Sequence, residues 1–185
     1  EGNNSAGVAG VSWNSKIMAL RLLGDSAENM DYVNAFRYAA EMGAHIISNS
    51  WSMHPGVDMI TFAIKYARNE GRSGKGCVIV CSSGNSGQDF AYPGYLEQVI
   101  SVGAVNRDDE RWIYSGNGPP LDVVAPSGGM AINEAVGDLC TTDRQGSIGL
   151  NDLYDNATPY DLDDVNYTLY MGGTSGACPL VAGLA

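Results

Sequence analysis

Residues 76–82 read Gly76-Cys77-Val78-Ile79-Val80-Cys81-Ser82. The five central positions are all apolar. A strand with one wet face alternates apolar and polar residues. An unbroken apolar run needs cover on both faces, as in parallel strands between two layers of helices. Outward from this run the chain alternates. Strand-like segments are expected at 16–23 (KIMALRLL), 45–50 (HIISNS), 98–105 (QVISVGAV) and 121–125 (LDVVA). Between them, 26–42 places Met30, Val33, Phe36 and Ala40 at helical spacing and stops at Gly43. A second helix is expected over 57–70, with Ile60, Ala63, Ile64 and Ala67 on one face and Gly71 behind it. Such alternation predicts βαβ units in a doubly wound, mostly parallel α/β sheet flanked by helices.

The 185 residues suffice for one domain with a real core, and 44% of them are hydrophobic. No run of 18 apolar residues occurs, so no membrane-spanning helix is expected. Twenty-one acidic residues face ten basic ones, a net charge of −11. That balance argues against nucleic acid, whose phosphates require a basic surface. It fits a solvated acidic exterior. Residues 127–170 break the alternation: they are polar and rich in Asp and Gly, and are expected to form an elaborated loop or hairpin. No repeat or linker divides the chain. Cys77 and Cys81 lie four apart in a strand, roughly 13 Å, too far for a disulfide. Cys140 and Cys178 are free to pair, although buried free thiols are the simpler expectation. No zinc-type spacing is present.

The chemistry concentrates near the end, in Gly172-Gly173-Thr174-Ser175-Gly176-Ala177-Cys178-Pro179-Leu180-Val181-Ala182-Gly183. A Gly-Gly-Thr run delivers a serine to the start of an apolar helix. Unpaired N–H groups and the positive end of the helix dipole favour negative charge there. Pro179 is expected in the first turn of that helix, where a missing N–H does little harm. A second element, Ser82-Ser83-Gly84-Asn85-Ser86-Gly87, follows the most apolar strand. It lies at the carboxyl edge of the sheet, where ligands of open α/β sheets bind.

These two elements resemble the G-T-S-x-A-x-P and G-N-x-G motifs of the subtilisin-like serine proteases (subtilases). Gly176 stands where many members carry methionine or alanine. The resemblance covers 3–126 and 170–185, with the motifs in the family's order, and does not extend to 127–170. It implies a serine endopeptidase with Ser175 as nucleophile. Asn85 and the Ser175 N–H would hold the oxyanion, an amide being able to donate without a charge to desolvate. It implies a polypeptide substrate added as a strand along Ser50-Trp51-Ser52, with Ser82, Ser83 and Gly84 on the other side of the cleft. Trp51 has a second reading as a core anchor. Asn3-Asn4-Ser5-Ala6-Gly7-Val8 resembles a loop that holds structural calcium, with the Asn4 side chain and the Ala6 and Val8 carbonyls as ligands; calcium would have no part in catalysis. The acidic stretch 152–164 reads as a solvated loop rather than a second cation site. The resemblance also implies a secreted monomer made with a propeptide.

The family's order is Asp, His, Ser, and its H-G-T-x-V-A-G helix would precede Glu1. His45 is expected to pack in a strand and His54 to sit in a surface loop, neither as a catalytic base. The chain on its own is therefore expected to be inactive. A non-catalytic peptide-binding pseudoprotease is the alternative from another class. An α/β-hydrolase esterase fits poorly, because Ala177 replaces the last glycine of G-x-S-x-G.

Overall fold

The computed structural model describes residues 7–23, 26–130, 139–151 and 161–185. Helix α1 (Asn29–Glu41) leads to β1 (Ile46–Asn49), then α2 (Asp58–Gly74) and β2 (Val78–Ser82). Strands β3 (Ile100–Val105) and β4 (Val123–Pro126) follow. The short strands β5 (Thr141–Thr142) and β6 (Tyr167–Thr168) precede α3 (Gly173–Leu184). Strands β1 to β4 form one parallel sheet in chain order, and β5 pairs antiparallel with β6. The expected α/β class is the one observed. The β5–β6 hairpin lies within residues 127–170.

The continuous apolar run has the expected double cover. Ile79 and Cys81 point to one face, where they pack with Phe36 and Ala40 of α1 and with Ile60, Ala63, Ile64 and Ala67 of α2. Val80 points to the other, joining Val102, Ala104, Ala125 and the Ala177 and Cys178 side chains of α3. Full burial of Ile60 and Ile64 contributes about 1.5–3 kcal/mol each relative to exposure. Helix α1 starts where the Asp31 carboxylate accepts the Glu28 N–H at 2.8 Å, which satisfies one orphan donor of the first turn. The regular part of α2 ends before Gly71, whose ψ of 154° is not helical. Beyond it Arg72 and Ser73 turn left-handed, with φ of 56° and 59°.

Four expectations are corrected. Residues 16–23 form no strand: among the described residues they pair with nothing, and Ile17 is 91% exposed. An apolar run becomes a strand only beside a hydrogen-bonding neighbour. Met30 has helical spacing but is 49% exposed, because α2 covers α1 along Phe36 and Ala40 instead. His45 is exposed rather than packed, since β1 begins one residue later; its carbonyl accepts the Val78 N–H. The fourth concerns Pro179 and belongs to the site.

Candidate active site

The parallel strands all end at one edge, and the ends gather there. Ser50 to Ser52 follow β1, Ser83 to Asn85 follow β2, and Ser127 and Gly128 follow β4. The first turn of α3 lies against the same edge. The Gly173 N–H donates to the Gly128 carbonyl at 3.3 Å, and Gly128 bridges Gly172.

Ser175 is the third residue of α3, which begins at Gly173 and not at the serine. Pro179 is therefore the seventh residue, in the second turn, contrary to the sequence expectation. A proline at that place withholds the hydrogen bond that the carbonyl four residues earlier would accept. That carbonyl belongs to Ser175, and it accepts the Ser50 hydroxyl at 2.9 Å instead. The Ser175 hydroxyl in turn donates to the Ser50 carbonyl at 3.1 Å. The two serines thus exchange hydrogen bonds across 125 positions of sequence.

Asn85 stands beside them. Its Oδ1 accepts the Thr174 N–H at 2.9 Å and the Thr174 hydroxyl at 2.8 Å. An amide N–H can only donate, so the atom facing it is the Asn85 oxygen. Nδ2 has no protein partner among the described residues, and Asn85 is exposed. Gly173 makes room for this approach: its φ is +70°, and a Cβ there would lie 3.1 Å from Asn85 Nδ2. The left-handed backbone favours glycine, and any side chain there would press on Asn85.

The remaining cleft residues divide by environment. Ser50 and Ser52 are exposed. Trp51 packs edge-on against Tyr32 and Phe36, with centroids 4.7 and 6.3 Å away, and so is also a core anchor. Ser82, Ser83 and Gly84 are buried. The Ser83 N–H and carbonyl are bound to the Val102 carbonyl and the Ala91 N–H. Gly84 adopts φ +99° with a Cβ position 2.9 Å from the Ala91 Cβ.

Neither His45 nor His54 hydrogen-bonds to Ser175, and both side chains are exposed. All four cysteines are free thiols. Cys81 and Cys178 lie on opposite faces of the sheet. Burial pushes the thiols of both up from their ordinary value, which keeps them protonated and inert. The calcium-type loop is described only from Gly7 onward, so Asn4 and Ala6 lie outside the described residues, as do 152–160 of the acidic stretch. Val8 is half-buried, behind a Gly7 in left-handed conformation (φ +70°) that abuts the Tyr167 ring. Among the described residues no group of three or more His, Cys, Asp or Glu is placed to hold a metal. In the described part of the acidic stretch, Asp161 accepts the Thr168 hydroxyl and the Leu169 N–H, so it serves the hairpin.

Sequence reading overlooked Thr174 and Ser127. The signal for Thr174 was its place in the Gly-Thr-Ser run. Ser127 looked like the first residue of a loop and turns out fully buried.

A family model described as the Subtilase family matches residues 1–185. The calcium-dependent protease of Nostoc sp. is 34% identical over 202 residues, covering 100% of this chain and 30% of that protein. The thermophilic serine proteinase of Bacillus sp. (strain AK1) is 34% identical over 188 residues, covering 100% and 38%. Among solved structures, a protease from Pseudoalteromonas arctica matches with a TM-score of 0.72 at 28% identity, over 98% of this chain and 52% of that one. The chain thus spans little more than a third, at most, of these two curated relatives' length. It belongs to the subtilase family of serine proteases.

Proposed function

We propose that residues 1–185 are part of the catalytic domain of a secreted subtilisin-like serine endopeptidase, with 127–170 as an elaboration of it. Ser175 is the nucleophile and attacks the scissile carbonyl. Asn85 Nδ2 and the Ser175 N–H receive the oxyanion of the tetrahedral intermediate. A peptide substrate lies along Ser50, Trp51 and Ser52, with Ser82, Ser83 and Gly84 opposite. Ser82 and Ser83 are buried, so they shape that wall rather than hydrogen-bond the substrate. The base that takes the Ser175 proton is neither His45 nor His54; by family resemblance it is a histidine upstream of Glu1, oriented by an aspartate further upstream. The 185-residue chain alone is then inactive, because only binding and oxyanion contributions remain.

The observation that carries this reading is the Thr174–Asn85 pair. Because Oδ1 is taken by Thr174, an uncharged donor, Nδ2, stays without a protein partner among the described residues, close to the turn that carries Ser175. The test is fluorophosphonate labelling followed by mass mapping, on this chain and on the parent protein. Labelling of Ser175 in the parent alone is the expected result. A folded parent that takes no label at Ser175 would overturn the reading in favour of a non-catalytic peptide binder.

A structural calcium on Asn4, Ala6 and Val8 belongs to the same proposal. Its support is the all-oxygen donor set, which suits a hard cation, and the calcium dependence in the name of the Nostoc relative. Calcium would stiffen the loop and take no part in the chemistry. A melting temperature of the parent that is unchanged between calcium and a chelator would remove it. The parent is further proposed to be a monomer made with a propeptide.

A further inference from the structure

Ser127 is 0% exposed and sits directly after β4, against the first turn of α3. Its hydroxyl donates to the Gly173 carbonyl at 2.6 Å. The N–H on the other side of that same peptide unit is the Thr174 N–H, which donates to Asn85 Oδ1 at 2.9 Å. One peptide plane is therefore held at both ends: its carbonyl by Ser127, its amide by Asn85. Any rotation of the plane that frees one end frees the other. Gly173 has no side chain to resist such rotation, so the clamp must come from outside.

Ser127 is itself immobilised. Its N–H donates to the Val105 carbonyl at 2.9 Å, and its carbonyl accepts the Trp112 indole N–H at 2.7 Å. The next residue is held likewise, with the Gly128 carbonyl accepting the Tyr114 hydroxyl at 2.6 Å. Trp112 and Tyr114 stack on each other, with centroids 5.6 Å apart. The hydroxyl also faces the residue after the nucleophile, since a Cβ on Gly176 would lie 2.7 Å from Ser127 Oγ. The glycine at 176 and the serine at 127 thus fit each other.

We propose that Ser127 is a positioning residue for the oxyanion hole, acting through the Gly173–Thr174 peptide on the orientation of Asn85. This rests on the roles proposed above for Ser175 and Asn85. Ser127 touches no reacting atom. It fixes the plane that fixes the Asn85 amide, and so the direction in which Nδ2 points.

The test uses the parent protease and a peptide substrate. Losing one buried, well-aligned hydrogen bond corresponds to about a tenfold change. Ser127→Ala should lower kcat by about that factor and leave KM within about twofold. In an Asn85→Leu background the Ser127→Ala loss should vanish, because its route to the oxyanion is already gone. A merely structural serine would cost the same in both backgrounds. The proposal is overturned if Ser127→Ala leaves kcat unchanged, or if its loss persists beside Asn85→Leu. Should Ser127→Ala fail to fold, Ser127→Gly, which also deletes the hydroxyl, is judged by the same two criteria. Ser175→Ala runs alongside. If that variant keeps activity, the functional reading fails and this proposal with it. If it is dead while Ser127→Ala is fully active, only the role of Ser127 fails.

Discussion

Thr174 holds Asn85 by two donors on one oxygen, the backbone N–H at 2.9 Å and the hydroxyl at 2.8 Å. The Thr174 hydroxyl also lies 3.3 Å from the Gly84 carbonyl, and its side chain is fully buried. The amide of Asn85 is thereby held by the protein itself, as the proposed oxyanion role needs. Preorganised donors cost no reorganisation during the reaction. In the parent protease, Asn85→Leu should lower kcat by about 10²–10³, the usual cost of one oxyanion donor. Thr174→Val keeps the shape and the N–H bond and deletes the hydroxyl. It should cost about three- to tenfold in kcat with KM little changed. Thr174→Ser should restore most of the loss. Steady-state kinetics on one peptide substrate decide this, and a KM effect without a kcat effect would contradict it.

Ser50 supplies the hydrogen bond that Pro179 withholds. Without its hydroxyl, the Ser175 carbonyl has lost its helical donor and its substitute together. Ser50→Ala should destabilise the parent by about 0.5–1.5 kcal/mol. In a Pro179→Ala background residue 179 has an N–H again, and the cost of Ser50→Ala should shrink. Equal costs in the two backgrounds, measured by denaturant unfolding, would show that Ser50 does not compensate for the proline.

Much of the sheet was legible because burial on two faces leaves a visible mark. Val78 to Cys81 can be apolar without interruption only between two helical layers, and that is where they lie. The faces of α2 were legible for the same reason, as Ile60, Ala63, Ile64 and Ala67 share one side of a regular helix. What stayed hidden depends on partners distant in sequence. Residues 16–23 have strand-like composition, yet pairing is a property of two segments, not one. The start of α3 was misjudged by two residues because its cap, Gly172, offers no side chain to mark the place. Ser175 and Asn85 stood out as candidates because they sit in motifs. Ser127 did not, because a small polar residue after Ala125-Pro126 looks like any loop residue until Gly173 is seen beside it.

Gly173 allows a sharp test of the turn that presents Ser175. Its backbone is left-handed, and a methyl group would sit 3.1 Å from Asn85 Nδ2. A left-handed non-glycine residue costs about 1–2 kcal/mol. The neighbour that must yield is the proposed oxyanion donor. Gly173→Ala should therefore destabilise the parent by about that amount and also reduce kcat. Gly43 has an equally left-handed backbone, φ +82°, but no atom within 4 Å of its Cβ position. Gly43→Ala should show a comparable backbone cost and unchanged kcat. Loss of kcat in both variants would trace the effect to general instability rather than to Asn85.

Asp143 should make the hairpin sensitive to acid. Its carboxylate follows β5, where the Asp143 N–H donates to the Asn166 carbonyl at 2.7 Å. The two carboxylate oxygens accept the N–H groups of Arg144 and Asn151, each at 2.7 Å. Desolvation pushes the carboxyl upward, but the backbone donors of Asn151, Arg144 and Leu150 and the Arg144 charge outweigh it. The result lies below the ordinary value of 3.8. A carboxyl with a lowered folded pKa binds its proton more readily in the open state. Its stabilising contribution is present above pH 3.8 and disappears as pH falls through the lowered value. Hydrogen-exchange protection of the Asn151 and Arg144 amides should therefore hold down to about pH 4 and fall below it. In Asp143→Asn, which has no proton to gain, that local pH dependence should be absent while the rest of the sheet behaves as before. Persistence of the acid transition in Asp143→Asn would assign it to another carboxylate, with Asp161 beside Thr168 the next to test.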